Sequence, residues 1–494
     1  MGKYLEEKMK YQTRRAFLKK LGVAGACLTA SSLLGPSHAW ASEGKKPNII
    51  FILADDLGYG DLGCYGQKEI KTPHLDRMAA EGMKFAQHYA GSTVCAPSRC
   101  VLMTGLHTGH ARVRGNSRIL MEPEDVTVAK VLKQAGYATG IIGKWGVGHP
   151  PPPGDPEQNG FDYFFGYLNM VHAHNYYPEF LWRNREKVFY DGNELVERYD
   201  DEQGWSFRQE TYSHDVFSDE ALAFVERNST KPFFLYLAYT IPHANNEGGR
   251  HVGNGMEVPD YGIYKDKKWP DPMKGHAAMI SRMDADVGRL FGKLRQLGVD
   301  EDTIVIFSSD NGPHKEGGTD PAFFNSNGPL RGIKRDMYEG GIRVPFIARW
   351  PGRIKAGGIS EHVSAFWDFL PTAAELAGAE VPDDIDGISM LPALLGKGQE
   401  QKKHEYLYWE FHERGGKQAV LWGKYKAVRL KWHKNPNGPL ELYDHEKDLA
   451  ENVNIAKEHP DIVAKMEAYM KAARTNVGMW QVPRPAKNAN RRRL

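Results

Sequence analysis

The 494-residue chain carries 64 Lys and Arg against 62 Asp and Glu, a formal charge of +2, with 41% hydrophobic and 26% charged residues. That length supports one large domain with a smaller one beside it, and the balance leaves no footprint for nucleic-acid binding. Four cysteines are too few for a disulfide scaffold.

The first 41 residues read as a leader rather than as fold. Thr13-Arg14-Arg15-Ala16-Phe17-Leu18-Lys19 precedes a Gly/Ala/Ser-rich apolar run from Leu21 to Leu34 and then Ala39-Trp40-Ala41. This is the three-part layout of a twin-arginine export signal with a small-residue cleavage site. It makes the twin-arginine machinery an expected partner and the periplasm or the exterior of a bacterium the expected location. The apolar run is too short for a stable membrane span, and Ala24 argues against a lipid anchor at Cys27. Removing the leader takes away seven basic and two acidic residues and leaves the remainder slightly negative.

Asn48 to Ala54 is a continuous apolar run ending in Asp55-Asp56, which suits a strand buried on both faces of a parallel sheet. A helix begins at Thr72-Pro73, and Phe85 to Tyr89 reads as a short strand leading to Cys95. A helix from Val126 to Ala135 precedes a strand from Ala138 to Ile142, which enters Gly143-Lys144-Trp145-Gly146-Val147-Gly148-His149. Residues 150–213, rich in Pro, Gly, His and aromatics, read as a long functional loop. A helix from His214 to Asn228 leads to a strand from Phe233 to Tyr239 and then Pro242-His243. The 246–273 stretch is expected to be loop and His276 to Leu297 a long amphipathic helix. Thr303 to Ser308 is a buried strand ending in Asp310-Asn311-Gly312, Val344 to Arg349 another strand, and Phe366 to Ala377 a helix.

This alternation predicts an α/β domain over 46–395, a doubly wound, mostly parallel sheet flanked by helices. After a polar linker, Lys397 to Lys403, strands at Tyr406–Phe411, Ala419–Leu421, Tyr425–Leu430 and Glu441–Tyr443 and a helix at Asp461–Ala473 predict a smaller α+β domain on an antiparallel sheet, over 404–485. Residues 486–494 form a basic tail.

The chemistry concentrates in Cys95-Ala96-Pro97-Ser98-Arg99-Cys100-Val101-Leu102-Met103-Thr104-Gly105. Cys95 by itself reads as a thiol nucleophile, a metal ligand or a packed core residue; Arg99 would favour a reactive thiolate if both sit on one helical turn, though buried inert cysteines are commoner. Asp55, Asp56, Asp310 and Asn311 end two apolar strands about 250 residues apart in sequence. If those strands are neighbours, four oxygen donors converge, a set that suits a hard cation, Ca²⁺ or Mg²⁺.

The motif closely resembles the C-x-P-S-R-x-x-x-x-T-G signature of type I sulfatases, of the alkaline phosphatase superfamily. The resemblance runs from Asn48 to Gly387 and weakly into the second domain through Leu442-Tyr443-Asp444 and Glu451-Asn452. It implies an alkaline-phosphatase-like fold and a Cys95 converted to formylglycine by a formylglycine-generating enzyme. It also implies a Ca²⁺ held by Asp55, Asp56, Asp310, Asn311 and the modified Cys95. A carbon bearing two hydroxyls can form a sulfate ester and then expel sulfate by C–O cleavage, which serine cannot. Arg99 is expected to steady that group, Lys144 and Lys334 to bind sulfate, and Lys334 with His243 to assist leaving-group protonation.

One departure stands out. Where the family commonly reads Gly-Lys-Trp-His-Leu-Gly, this chain has Gly146, and His149, His172 or His174 is the expected substitute base. For substrate, His172, His174, Tyr176, Trp182 and Arg183 form a polar-aromatic cluster suited to sugar rings, with His149 nearby and His412 closing the pocket from the second domain. The segments HTGHARVRGN and HAHNYYPEFLWRN resemble those of bacterial sulfatases acting on galacto-configured or amino-sugar sulfates. The leading expectation is hydrolysis of carbohydrate sulfates and aryl sulfates. The competitors are a phosphate mono- or diester or phosphonate hydrolase of the same superfamily, and a non-catalytic sulfated-glycan binding protein.

Overall fold

Six apolar residues in unbroken series, Ile49 to Ala54, make Asn48–Ala54 (β1) the middle of a ten-stranded sheet, every residue of the strand buried. The computed structural model describes residues 46–116, 119–149, 154–196, 204–476, 478 and 480. The expected leader (1–41) and basic tail (486–494) lie outside them. In chain order the other strands of this sheet are β2 (Met83–Phe85), β3 (Ala138–Lys144), β4 (Tyr163–Tyr167), β5 (Phe180–Arg183), β6 (Glu186–Phe189), β7 (Phe233–Ala238), β8 (Thr303–Ser309), β9 (Phe346–Arg349) and β10 (Gly358–Ser360). The spatial order is β10-β2-β9-β8-β1-β7-β3-β4-β5-β6.

The five central strands, β8-β1-β7-β3-β4, run parallel, and β9, β5 and β6 add antiparallel pairings outside them. Helices cover both faces, as a parallel sheet requires. Helices α1 (Pro73–Glu81), α4 (Ser213–Asn228) and α5 (Asp271–Gln296) pack on one side, and α2 (Cys95–Thr104), α3 (Val128–Gln134) and α6 (Phe369–Ala377) on the other. Alternation along β1 serves both layers. Ile50 and Ile52 join the cluster that includes Phe217 and Met279, while the Phe51 ring meets Phe369 at 4.6 Å and Tyr236 at 6.4 Å.

The stretch 150–213 is not simply loop. It supplies β4, β5 and β6, with β4 in register against β3 (Gly140 opposite Tyr163). Each is only four or five residues long, too brief for periodicity to reveal. The 246–273 stretch likewise carries a helix, Asn246–Val252, and α5 starts five residues earlier than expected, at Asp271.

A second sheet orders β11 (Leu407–Phe411), β12 (Lys417–Trp422), β13 (Tyr425–Leu430) and β14 (Glu441–Asp444) as an antiparallel meander, backed by α7 (Pro460–Ala472). Buried ion pairs tie the second sheet to connecting segments of the first domain: Arg114 reaches Glu410 at 2.8 Å and Lys426 reaches Glu339 at 2.8 Å. Among the described residues no helix is long and apolar enough to cross a membrane. Cys64, Cys95 and Cys100 are free thiols.

Candidate active site

The C-terminal ends of the parallel strands define the crevice in which open α/β sheets bind ligands. β1 and β8 are adjacent and in register, with Ala54 opposite Ser309. The residues that follow, Asp55-Asp56 and Asp310-Asn311, therefore emerge side by side. Backbone and side chains lock them together: the Asp56 N–H donates to Asp310 Oδ1 at 3.1 Å, and Asn311 Nδ2 donates to Asp56 Oδ1 at 2.7 Å. β7 flanks β1 on its other side and brings His243, and β3 brings Lys144.

Helix α2 begins at Cys95, so Arg99 lies one turn further on the same face. Its guanidinium, fully buried, donates to Asp310 Oδ2 (2.8 Å), Asp55 Oδ2 (3.2 Å) and the Lys144 carbonyl (2.7 Å). Lys144 Nζ sits 2.7 Å from Asp55 Oδ2. Lys334 Nζ donates to Asp56 Oδ2 (2.7 Å), His243 Nε2 (3.0 Å) and Glu316 Oε2 (3.2 Å). Cys95 Sγ lies 3.7 Å from the Asn116 side chain and from Met170 Sδ.

Three cations against three aspartates make the electrostatics nearly self-compensating. Burial would raise the Asp55 carboxyl, but the Lys144 and Arg99 charges hold it well below the usual range. Burial and the neighbouring Asp55 push Asp310 the other way, as expected for like charges sharing one guanidinium. Burial raises the Cys95 thiol, more than Lys144 lowers it. For Lys334, burial is outweighed by Asp56 and Glu316, and its ammonium is held above the ordinary lysine range. Burial, helped by Lys334, drives His243 well below the usual imidazole range.

The donor set fits a hard cation. Asp55 Oδ1 and Asn311 Oδ1 are buried and have no hydrogen-bond partner, while the other side-chain atoms of the same two residues, Asp55 Oδ2 and Asn311 Nδ2, are bonded. Orphaned oxygens of this kind are costly unless something positive meets them.

Nine expected residues thus come together: Asp55, Asp56, Cys95, Arg99, Lys144, His243, Asp310, Asn311 and Lys334. His243 and Lys334 form one hydrogen-bonded pair: His243 Nδ1 lies 2.7 Å from the Ala244 carbonyl and its Nε2 3.0 Å from Lys334 Nζ.

Of the expected sugar-binding cluster, only His174 meets the site, its ring stacked 5.0 Å from that of His243. His172 is buried against Tyr167 and Phe180, 4.8 and 4.7 Å between ring centres, within the core. Tyr176 is fully buried and its hydroxyl ties down the carbonyls of Thr240 and His243, so it shapes the His243 loop from behind. Trp182 and Arg183 lie on β5, which runs back from the crevice edge, and Arg183 pairs with Glu220 of α4 at 3.5 Å. His149 is exposed beyond β3. His412 packs 4.5 Å from Trp480 and bonds Glu410 at 2.9 Å; its neighbour Glu413 reaches the site edge, accepting the Asn116 N–H at 2.8 Å.

Sequence reasoning missed Glu316, His314, Asn116 and Glu247. Glu316 had a readable signal, six residues past Asp310 in the same strand-end loop. Asn116 and Glu247 had none, because only long-range packing brings them in.

Comparison with known proteins places this geometry. The family model described as Sulfatase matches residues 47–379, and that described as N-sulphoglucosamine sulphohydrolase, C-terminal, matches 333–476. N-acetylgalactosamine-6-sulfatase of Sus scrofa is 36% identical over 412 residues, covering 78% of this chain and 72% of its own. N-acetylgalactosamine-6-O-sulfatase of Bacteroides thetaiotaomicron is 30% identical over 510 residues, covering 87% and 94%. Among solved structures, Ps i-CgsB in complex with k-i-k-neocarrahexaose is 28% identical with a TM-score of 0.72, covering 87% of this chain and 92% of that one.

Proposed function

The chain belongs to the sulfatase family and is a sulfuric ester hydrolase, and we propose that it works on galacto-configured or amino-sugar sulfates, with aryl sulfates as simpler substrates. Support for the sugar class comes from the names of the relatives, two of them N-acetylgalactosamine 6-sulfatases. The observation that carries the active-site reading is the pair of orphaned oxygens, Asp55 Oδ1 and Asn311 Oδ1, beside a buried Cys95 and three cations.

In this reading Asp55, Asp56, Asp310, Asn311 and the group at position 95 hold one Ca²⁺, with Mg²⁺ the alternative. Such a cation, when bound, neutralises sulfate oxygens and lowers the pKa of a coordinated hydroxyl. Formylglycine, made from Cys95 by a maturation enzyme, supplies the hydroxyl nucleophile that a buried thiol of raised pKa does not. Arg99 fixes the two carboxylates on either side of it and keeps position 95 and Lys144 in register. Lys144 and Lys334 donate to the sulfate oxygens from opposite sides of the crevice, Lys334 toward the bridging oxygen. Neutral His243 accepts from Lys334 and aims it. All four are sealed from water, where each charge-assisted bond counts for more than at the surface. The leader motif supports export to the periplasm or beyond.

The test is a screen of mono- and oligosaccharide sulfates by released sulfate, using natively produced, mature protein. Sulfate release from galacto-configured or amino-sugar sulfates, with nitrophenyl sulfate preferred over nitrophenyl phosphate, is the expected result. Intact mass should fall by about eighteen daltons from the unmodified chain, as conversion of the thiol to an aldehyde requires. Active protein carrying only unmodified thiol would overturn the formylglycine assignment.

A further inference from the structure

Helix α2 opens on Cys95 without a cap of its own. Val94, the residue before it, is extended and makes no side-chain cap bond, although the first N–H groups of a helix find no partner inside it. The cap comes from twenty residues further along the chain, where Asn116 Oδ1 accepts from the Ala96 N–H at 3.2 Å. An N–H can meet only the oxygen of an amide, so this bond fixes which end is which. The same amide edge faces the reacting position, its oxygen and its nitrogen each 3.7 Å from Cys95 Sγ. With Oδ1 engaged by the helix, Nδ2 is the donor turned toward position 95.

The second domain holds this amide in place. Glu413, between β11 and β12, accepts the Asn116 N–H at 2.8 Å. Two residues earlier Arg114 is buried against Glu410 at 2.8 Å and the Thr475 carbonyl at 3.0 Å. Little else around Cys95 Sγ can do the same work. Met170 Sδ, also at 3.7 Å, is a weak acceptor with no proton to give. Gly146 has no side chain at all, and a Cβ there would begin 3.4 Å from Arg99 Cδ. Among the described residues, Asn116 alone brings a side-chain nitrogen or oxygen within hydrogen-bond distance of that sulfur.

We propose that Asn116 is a further catalytic residue, whose amide caps α2 and hydrogen-bonds the group at position 95, and that Glu413 positions it. The role rests on the formylglycine reading above, in which the sulfur stands in for a hydroxyl oxygen of that group. A hydroxyl free to turn about the Cα–Cβ bond samples orientations that never reach the ester. Asn116 restricts it to one, and such alignment raises turnover more than affinity. Through Glu413, the orientation of the nucleophile depends on how the second domain is seated.

The experiment compares Asn116→Asp and Asn116→Leu with wild type, each natively produced, with the converted fraction read from intact mass. Aspartate keeps an acceptor for the Ala96 N–H and loses the donor, while leucine, of similar size, loses both. Thermal unfolding should show a lowered midpoint for Asn116→Leu and little change for Asn116→Asp. In both variants kcat per converted molecule on a sulfate ester should fall about 10-fold or more, with KM changing less. An aminooxy probe, which captures free aldehyde, should label Asn116→Leu faster than wild type, because the hydrated form has lost a partner. Glu413→Gln, still an acceptor, should keep most of the kcat that Glu413→Leu loses. Wild-type kcat in folded, converted Asn116→Asp would confine the residue to capping and overturn its catalytic role alone. Active wild type carrying only unmodified thiol would overturn the formylglycine reading, and this role with it.

Discussion

Lys417 on β12 places its ammonium on the backbone carbonyl of Arg335, the residue immediately after Lys334. Arg335 has φ +76°, a region that bulky side chains seldom occupy and that costs on the order of 1–3 kcal/mol. The surroundings over-determine it. Its N–H donates to Thr93 O at 2.9 Å, its guanidinium meets Glu316 at 2.6 Å, and Lys417 also pairs with Asp336 at 2.9 Å. The second sheet thus braces a strained residue that directly follows Lys334.

Replacing that clamp should cost turnover more than binding. Lys417→Met is expected to lower kcat about 10-fold or more, since small misplacements near reacting atoms cost up to about 10²-fold. KM should change less, and Lys417→Arg should recover part of the loss. Steady-state kinetics on a sugar sulfate decides it: an unaltered kcat in folded Lys417→Met would remove the clamp from the mechanism.

The orphaned oxygens predict ion-dependent stability. Adding Ca²⁺ to cation-stripped protein should raise its thermal midpoint, by an increment equivalent to about 2.7 kcal/mol at a hundredfold excess over Kd. Asp310→Asn should bind the ion more weakly. A midpoint indifferent to divalent cations, measured by calorimetry, would count against the site.

Glu410 anchors the junction of the two sheets. It is fully buried and accepts from Arg114 (2.8 Å), Arg474 (2.7 Å), His412 (2.9 Å) and Tyr408 (2.9 Å). Burial opposes its charge, yet the His412 and Arg474 hydrogen bonds and the Arg114 charge hold its carboxyl well below the usual range. Glu410→Gln strands two buried guanidinium groups and should destabilise the protein by about 3–5 kcal/mol, read as a lower denaturant midpoint.

His172 makes a prediction about acid. Burial, with Lys187 adding to it, lowers its pKa from 6.5 to about 3. Between those values the unfolded chain binds a proton that the folded chain refuses, so this residue subtracts stability as pH falls from about 6.5 toward about 3. At about pH 4.5 the penalty is on the order of 2–3 kcal/mol. His172→Phe, which keeps an aromatic ring between Tyr167 and Phe180, should lose less stability than wild type between pH 7.5 and pH 4.5. Urea unfolding at the two pH values measures the difference, and equal losses would refute the assignment.

Gly146 illustrates how a motif departure is read differently once the backbone is known. Its φ is +76°, and a side chain there would start 3.4 Å from Arg99 Cδ and 3.6 Å from the Lys144 side chain. The position is at the site, as the sequence suggested. Of the three histidines considered as substitutes, only His174 approaches the site, while His172 belongs to the core.

The sequence by itself determined what is written in contiguous residues. The Cys95–Gly105 signature, the apolar runs of β1, β7 and β8, the acidic pairs at two strand ends and the antiparallel second sheet all carry local periodicity or fixed spacing. Tertiary structure alone decided what depends on sheet order and register. Asp55 meets Asp310 because β1 and β8 are parallel neighbours with Ala54 opposite Ser309. Glu247 meets His174, and Lys417 meets Arg335, across 73 and 82 residues of chain. The short strands β4 to β6 stayed hidden for the same reason: their pairing partners, not their own few residues, make them strands.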